Sequence, residues 1–312
     1  MEINKKYSTI LNNFKNKVID SCCVKAIIVY GSYASSELWK KSNLNIWVIT
    51  DMQNIKDKDQ YSIEEDDVVL NIEVFAKDFL LYMLSSNQHK NFYNTVLHKC
   101  KLYYCVDNDI ERLCVNRTSL AEEEKIKVLL REGCYAVSCL RKAEKILKHK
   151  QNLVLGYSII SRLVNHLAKI EVAMANQYNN EYVEDQAIKL NHDCFYSLYI
   201  DLINSKIQIM SLQNKLIKCN DYLTKRYKKI FNPLIKWMMT QQQDKTVSEI
   251  NNYLYDTYEI KNEENNLIDV YNYLYCKKIL IKNFKSISLL DDSNEKYNEI
   301  SFSYNIKDDC II

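Results

Sequence analysis

Long apolar runs are missing from this chain of 312 residues. No run reaches the roughly 18 residues that a membrane helix needs. Met1 to Ile19 is amphipathic and charged, and it has no apolar core of the kind that a secretion signal carries. These absences argue against membrane-spanning and secreted classes. The length suits two or three compact domains.

Paired cysteine motifs are also missing, although the chain has 11 Cys. There is no C-x2-C pair, no Cys and His spacing typical of a metal site, and no even disulfide framework. Free cysteines of this kind are small, mostly buried hydrophobes and fit a reducing compartment. We therefore expect a cytoplasmic protein without structural disulfides.

Glycine and proline are scarce, at three and one residues. In contrast, Asn occurs 33 times and Tyr 24 times. This composition is typical of codon bias in an AT-rich genome. An Asn at any single position is therefore weak evidence for a functional site, whereas each of the few glycines is informative.

The formal net charge is only +2, but it is unevenly distributed along the chain. Residues 1–119 carry a net charge of 0, residues 120–245 carry +7, and residues 246–312 carry −5. We expect a phosphate-bearing partner to meet the first two segments. The densest group of basic residues is the basic cluster, which comprises Lys225, Arg226, Lys228 and Lys229.

The first part of the chain has an α/β pattern. An amphipathic helix begins near Tyr7, and short apolar runs predict strands at residues 24–30, 44–50, 68–76 and 101–105. Residues 32–41 leave room for one short helix between the first two strands, and residues 77–85 predict another.

From about Glu122 the apolar residues recur with a helical period, which predicts a bundle. After residue 245, two short helices and two strand-like runs follow in the order of a winged helix. The predicted fold class is α+β: a mixed sheet with helices at 1–118, a helical bundle at 119–243 and a winged helix at 244–312.

Gly31 directly follows the first strand and precedes Ser32, and ten residues later Asn43 and Asn45 open the next strand. This spacing resembles the nucleotidyltransferase superfamily signature of DNA polymerase β and the kanamycin-type transferases. The resemblance implies that Gly31, Ser32 and Tyr33 contact nucleotide phosphates at a helix N-terminus. It also implies a strand that presents Asp-x-Asp to two magnesium ions.

Both signature carboxylates are Asn in this chain, at positions 43 and 45. A unit charge pair at about 4 Å is worth roughly 4 kcal/mol at an effective dielectric of 20, so their loss should cripple magnesium binding. The third carboxylate would come from a later strand, where Asn71 and Glu73 share a face. Glu73 is the candidate metal ligand if the site is active, and Asn71 would complete the loss. Four nearby acids could compensate only if loops brought them in, namely Glu37, Asp51, Asp66 and Asp67.

The chain as a whole resembles three-part nucleotidyltransferase-like proteins of Gram-positive bacteria. The resemblance is carried by the element order, by residues 163–171 and 198–204, and by the long helix toward Trp237. It implies a nucleotidyltransferase-like domain, a helical domain of the substrate-binding type and a C-terminal helix-turn-helix.

Three functions remain open. The first, which we favour, is a nucleotide-binding pseudoenzyme, because an enzyme under selection would keep its metal ligands. The second is an active transferase that uses Mg²⁺ and a nucleoside triphosphate to modify a small molecule, RNA or protein. The third is a DNA-binding regulator that acts through the winged helix.

The charge of the C-terminal segment argues against the third function. Its would-be reading helix, residues 263–276, carries Glu263, Glu264 and Asp269 and no Lys or Arg. We expect this segment to pack against the basic helical domain or a second copy of the protein through charge and through Tyr271, Tyr273 and Tyr275. His166, on a helical stripe, is expected to be a hydrogen-bonded structural residue.

Overall fold

The fold is given by a computed structural model, which describes residues 2–21, 23–35, 37–51, 58–85, 90–115, 120–150, 152–180, 182–262, 266–288 and 295–305. Contacts between Cα atoms divide the chain into two compact units, Met1–Ser119 and Leu120–Ile312. Within the described residues, no helix is both long enough and apolar enough to cross a membrane.

The first unit is built on a five-stranded mixed sheet with the order β3-β4-β2-β1-β5. Its strands are β1 Val24–Tyr30, β2 Leu44–Thr50, β3 Asp59–Glu65, β4 Val68–Ala76 and β5 Lys101–Cys105. Its helices are α1 Glu2–Ile19, α2 Lys77–Ser85, α3 Lys90–Lys99 and α4 Asn108–Val115. β2 and β4 run parallel, and the other neighbouring strands pair antiparallel.

Both faces of this sheet are covered, which explains why β1 and β2 are apolar along nearly their whole length. One face packs on α1 through residues such as Ile27 and Ile46. The opposite face packs on α2 and α3 and contains Trp47 and Phe75. The four predicted strands are confirmed at the bounds expected from the sequence.

Two expectations for the first unit differ from the structure. The helix expected within residues 32–41 is a single 3-10 turn at Gly31–Tyr33, and the chain then folds back, with the Tyr7 hydroxyl donating to the Ser42 carbonyl at 2.6 Å. The edge strand β3 was not predicted because its sequence, DQYSIEE, is mostly polar. It forms a two-residue hairpin with β4 through Asp66 and Asp67, both at positive φ.

The second unit begins with long helices, as the apolar periodicity predicts. They are α5 Glu122–Lys145, α6 Leu153–Met174, α7 Val183–Leu190, α8 His192–Phe195, α9 Asp201–Asn204, α10 Ile209–Ile230 and α11 Asn232–Thr240. Short π-helical segments follow α5 at Ile146–Lys150 and separate α8 from α9 at Tyr196–Ile200. Gly133 permits close packing of α5 on α10, because a Cβ there would lie 2.3 Å from Ile230 Cγ2.

The C-terminal segment adds α12 Val247–Tyr258, α13 Ile268–Cys276, β6 Lys245–Thr246, β7 Leu280–Ile287 and β8 Tyr297–Tyr304. The strands form a three-stranded sheet in the order β6-β8-β7. The winged-helix assignment and the domain boundaries at 118 and 243 stay predictions. One hydrophobic core cluster includes buried residues of both the bundle and the C-terminal segment.

The C-terminal segment contacts the bundle through buried tyrosines and through polar groups. Tyr271 and Tyr273 are buried in the shared core. The ring of Tyr273 lies 6.5 Å from that of Phe231, and Lys277 Nζ donates to Thr224 Oγ1 at 2.8 Å. The charge of Asp269 also acts on Arg141 of α5. The share of charge in this packing stays a prediction. Glu263 and Glu264 lie outside the described residues.

Candidate functional site

The turn after β1 brings Gly31 against Asn45. The helix N-terminus that the resemblance implies at Gly31, Ser32 and Tyr33 is instead a three-residue 3-10 turn. Gly31 has φ +78° and a Cβ there would lie 2.9 Å from Asn45 Nδ2, so only glycine fits without strain. The carbonyl of Gly31 accepts hydrogen bonds from the N–H groups of Ala34 and Ser35. Lys101 Nζ donates to the Tyr33 carbonyl at 3.2 Å and lies 4.9 Å from the centre of the Tyr33 ring. A basic side chain is therefore placed beside this turn.

Neutral amides occupy the place where the family signature has carboxylates. Asn45 on β2 is directly opposite Asn71 on the parallel strand β4, and Asn71 Nδ2 donates to Asn45 Oδ1 at 3.1 Å. Asn71 Oδ1 in turn accepts from Ser62 Oγ of β3 at 3.2 Å. We call Asn45, Asn71 and the Ser62 hydroxyl that donates to Asn71 the amide row. One direct hydrogen bond therefore joins the two amides where two carboxylates would require a cation between them.

Glu73 lies two residues beyond Asn71 and is held by three donors. Its Oε1 accepts from Lys58 Nζ at 3.0 Å and from Gln60 Nε2 at 2.9 Å. Its Oε2 accepts from Trp47 Nε1 at 2.8 Å. The Glu73 side chain is only 13% exposed. The charge of this carboxylate is therefore compensated by Lys58 within the sheet.

An aromatic cluster lies next to Glu73 on the same face of the sheet. The Trp47 ring stacks on Tyr93 at 5.1 Å and lies 5.2 Å from the ring of Tyr30. Burial, and secondly the nearby Glu73 charge, raise the pKa of Tyr30 to about 12. Tyr30 is therefore a neutral phenol at physiological pH and is not a general base.

The magnesium ions implied by the sequence resemblance do not fit these side chains. Protein sites usually bind Mg²⁺ through carboxylates, whereas Asn45 and Asn71 are neutral and bonded to each other. Asn43 is exposed just before β2. Across the described ranges, no three His, Cys, Asp or Glu side chains are grouped so that they could hold a metal ion.

The four acids that could replace the missing metal-binding carboxylates either lie elsewhere or have other partners. Asp51 forms an ion pair with Lys25 at 2.7 Å. Glu37 accepts from Ser35 Oγ at 3.3 Å on an exposed turn. Asp66 and Asp67 form the β3–β4 turn at the end of the hairpin. None of these carboxylates joins the amide row.

The basic cluster is divided between two cavities of the second unit. Lys225 and Arg226 line a cavity of about 460 Å³, whereas Lys228 and Lys229 line one of about 810 Å³. Arg226 Nη2 lies 3.4 Å from Glu171 Oε2, and its guanidinium stacks 4.1 Å from the centre of the Tyr222 ring. Arg226 therefore makes an internal ion pair, whereas none is seen for Lys228 or Lys229 among the described residues.

His166 belongs to a buried ionic group in the bundle. Its Nδ1 lies 2.8 Å from Glu132 Oε2, and its ring stacks on Tyr135 at 5.1 Å. Burial alone would lower the pKa of His166, but hydrogen bonds to Cys139 and Glu132 outweigh this effect and raise it. Burial raises the pKa of Glu132, yet the hydrogen bond from His166 and the charges of Lys169 and Arg131 hold it below its usual value.

Several residues at the site were missed by sequence reasoning. Lys58, Gln60 and Ser62 belong to or adjoin the unpredicted strand β3. Two signals could have indicated them: the alternation of Tyr61 and Ile63 with polar residues, and the Asp66-Asp67 pair before an apolar run. Trp47 lies within the strand predicted at residues 44–50 but was assigned no role, because an indole bonded to a carboxylate has no sequence signature.

Comparison with known proteins supports the fold. No protein-family model matches the chain, and no curated protein shows significant similarity to it. Among solved structures, the chain is similar to the crystal structure of a nucleotidyltransferase-like protein from Exiguobacterium sibiricum 255-15, with a TM-score of 0.57 and 13% sequence identity. The match covers 97% of this chain and 99% of that one. The chain therefore has a nucleotidyltransferase-like fold.

Proposed function

We propose that this protein is a nucleotidyltransferase-like pseudoenzyme, whose first unit binds a nucleotide without magnesium and does not transfer it. The observation that carries this proposal is the direct hydrogen bond between Asn71 and Asn45 at 3.1 Å. Carboxylates at this separation would repel each other unless a cation lay between them. Neutral amides remove both the repulsion and the charge that attracts magnesium.

The second support is that the Glu73 carboxylate already has hydrogen-bond partners within the protein. Its oxygens already accept hydrogen bonds from Lys58, Gln60 and Trp47. Recruiting Glu73 to a metal ion would break the Lys58 ion pair and leave the buried Trp47 N–H without its acceptor, which costs about 1–3 kcal/mol for such a group. The site is thus stable as a hydrogen-bonded unit without a cation.

The proposal of nucleotide binding rests on the turn after β1 and not on the two asparagines. The turn at Gly31, Ser32 and Tyr33 has the family spacing, and Lys101 lies beside it. A lysine ammonium can neutralise part of a phosphate charge that magnesium would otherwise screen. We expect ATP or another nucleoside triphosphate to bind equally well with and without a chelator.

Binding is tested by calorimetric titration of nucleoside triphosphates in EDTA and in MgCl₂. Lys101→Gln should weaken binding by about three- to tenfold, the effect of losing one exposed charge contact. Lys189→Gln, in the exposed part of α7 in the second unit, is the matched control and should have no effect. Binding that requires magnesium in the unaltered protein would contradict the proposal.

Catalysis is tested by pyrophosphate release from nucleoside triphosphates in MgCl₂ or MnCl₂, and none above background is expected. The variant Asn43→Asp, Asn45→Asp, Asn71→Asp should unfold at a lower temperature in EDTA and regain stability in MgCl₂. The control Asn45→Ala with Asn71→Ala should not respond to magnesium. Robust turnover by the unaltered protein would favour the active-transferase alternative and make Glu73 the leading metal ligand.

For the C-terminal segment we propose a winged-helix-type domain that acts in protein packing instead of DNA binding. Support comes from the order α12, α13, β7, β8 and from the lack of Lys and Arg in residues 268–276. The full-length protein should not bind duplex DNA with submicromolar affinity through this segment, and any duplex binding should be lost when the basic cluster is replaced by Gln. Association of two copies of the protein stays a prediction.

A further inference from the structure

A cavity in the second unit combines an apolar surface with basic side chains. Its volume is about 810 Å³, within the range of about 300–1,000 Å³ that small-molecule sites have. The start of α5, the end of α10 and α11 line it, together with Ile279 and Tyr304 near the ends of β7 and β8. Every residue of this lining belongs to the second unit.

The lining is mainly aliphatic. Ile126 and Leu129 contribute from α5, Ile230 from α10, and Ile235 and Met239 from α11. Met239 is 44% exposed although it is apolar. A flexible, unbranched side chain at such a position can adapt to an apolar ligand. Water would find few hydrogen-bonding partners along this surface, so an apolar ligand would be favoured over solvent.

Four lysines from three helices also line this cavity: Lys125, Lys228, Lys229 and Lys236. Lys125 has a weak ion pair with Glu122 at 3.7 Å. No carboxylate in the described part of the chain lies within ion-pair distance of Lys228, Lys229 or Lys236. This differs from Arg226, which has an internal acid partner.

We propose that this cavity binds a single amphipathic anion, a molecule with an extended apolar body and a carboxylate or phosphate head. The aliphatic lining would bury the body, and the lysines would meet the head at the mouth. A purely polar anion would leave the lining exposed to water, and a neutral apolar molecule would leave the lysines unused. This inference goes beyond the proposed nucleotide site and does not depend on it.

Binding is tested on the full-length protein with four probes that differ in one property each. Dodecyl phosphate and dodecanoate have both features, dodecyltrimethylammonium reverses the charge, and butyl phosphate shortens the chain. Calorimetry below the micelle concentration should show one site for the first two probes. Butyl phosphate should bind more weakly by about a hundredfold or more, because it buries fewer methylene groups.

The head contact is tested with Lys228→Gln, Lys229→Gln. This variant should lose about tenfold in affinity for dodecyl phosphate, as expected for two partly exposed charge contacts. The matched control is Lys142→Gln, Lys145→Gln, which removes two exposed lysines from the last turn of α5. Those lysines lie about 25–30 Å from Lys125 along the helix axis, given a rise of about 1.5 Å per residue. The control should bind as the unaltered protein does.

The location is tested with methyl-¹³C methionine NMR. Met174 and Met239 line the cavity, whereas Met210 at the start of α10 does not, so only the first two methyl signals should shift. Met239→Trp should block the mouth and weaken binding without disturbing a buried position.

Three results would overturn the inference. One is equal binding of dodecyltrimethylammonium, and another is an equal affinity loss in the Lys142 and Lys145 control. The third is binding to anionic phospholipid vesicles with none to monomeric dodecyl phosphate, which would indicate a surface contact. None of these measurements involves Gly31 or Lys101, so failure here is distinguishable from failure of the nucleotide proposal.

Discussion

At the scale of single residues, Gly31 is the most constrained position of the candidate site. Gly31→Ala should lower the free energy of unfolding by about 1–2 kcal/mol, the cost of a left-handed conformation for an L-residue. The approach of the new Cβ to Asn45 Nδ2, 2.9 Å away in an unrelaxed structure, adds to this cost. Urea denaturation of the variant measures the loss.

A double-mutant cycle separates the two causes at this position. In an Asn45→Ala background the side-chain contact is gone, so Gly31→Ala should cost less than in the unaltered protein. An equal cost in both backgrounds would show that backbone strain acts alone. A stabilised Gly31→Ala variant would contradict the observed positive φ.

The ionic pair of His166 and Glu132 predicts a pH dependence of stability. The pKa of His166 is raised above 6.5, so its contribution is complete below that pH and is lost as pH rises through the folded-state pKa. The pKa of Glu132 is lowered below 4.5, so its contribution is complete above that pH and is lost as pH falls through the folded-state pKa. The pair should therefore stabilise most between these values.

Denaturation of the unaltered protein and of His166→Gln tests this dependence. The stability advantage of the unaltered protein should shrink as the pH is raised above 6.5 and through the raised folded-state pKa of His166. The NMR titration midpoint of His166 should lie above 6.5. A midpoint below that value would show that burial outweighs the hydrogen bonds to Glu132 and Cys139.

The residues of the candidate site were predictable only in part. Gly31 and Asn45 could be paired from the sequence, because a glycine between two strands and an alternating polar pair have a fixed spacing. The bond between Asn45 and Asn71 required the parallel register of β2 on β4, which a sequence does not specify. The partners of Glu73 lie on or beside a polar edge strand whose residues have no apolar signal.

At the scale of secondary structure, strands buried on both faces were predictable and short turns were not. β1, β2 and β4 are rich in β-branched and other apolar residues because helices cover both sides of the sheet. The segment after Gly31 is long enough for a short helix, but it begins with a 3-10 turn at Gly31–Tyr33, and its Ser42 carbonyl accepts a hydrogen bond from Tyr7. Tertiary contacts override local propensity in such short segments.

The start of α12 provides a prediction at this scale. Thr246 accepts from the Glu249 N–H at 3.2 Å, and Glu249 Oε2 accepts from the Thr246 N–H at 2.7 Å, forming a capping box. Thr246→Ala should lower the free energy of unfolding by about 1 kcal/mol. Thr257→Ala, at an exposed position of the same helix, should be neutral or slightly stabilising. Equal effects of the two changes would show that the cap does not contribute.

At the scale of the whole molecule, the bundle and the C-terminal segment share one hydrophobic core cluster, and the domain boundary that element order predicts between them stays a prediction. Helices followed by a helix-helix-strand-strand segment predict a domain boundary at residue 244, since each part has its own characteristic pattern. In the structure, the Trp237 ring stacks on Tyr253 at 4.0 Å across that boundary. Tyr273 and Phe231 belong to the same hydrophobic core cluster. Sequence patterns identify elements, but they do not show which elements share a core.

The shared core predicts how fragments of the second unit behave. Residues 120–312 should fold alone and unfold in one cooperative transition, because this unit contains the whole cluster. Residues 244–312 alone should not fold cooperatively, because Tyr271, Tyr273 and Leu274, buried in the full chain, would lose their partners from α5 and α10. Circular dichroism and calorimetric melting of the two fragments measure this difference.

A cooperative transition in residues 244–312 would instead support the boundary at 244. The contact with the bundle would then be the docking of two domains that fold separately. In that case Tyr253→Ala in the full chain should separate one melting transition into two, whereas a single shared core predicts one transition shifted to lower temperature.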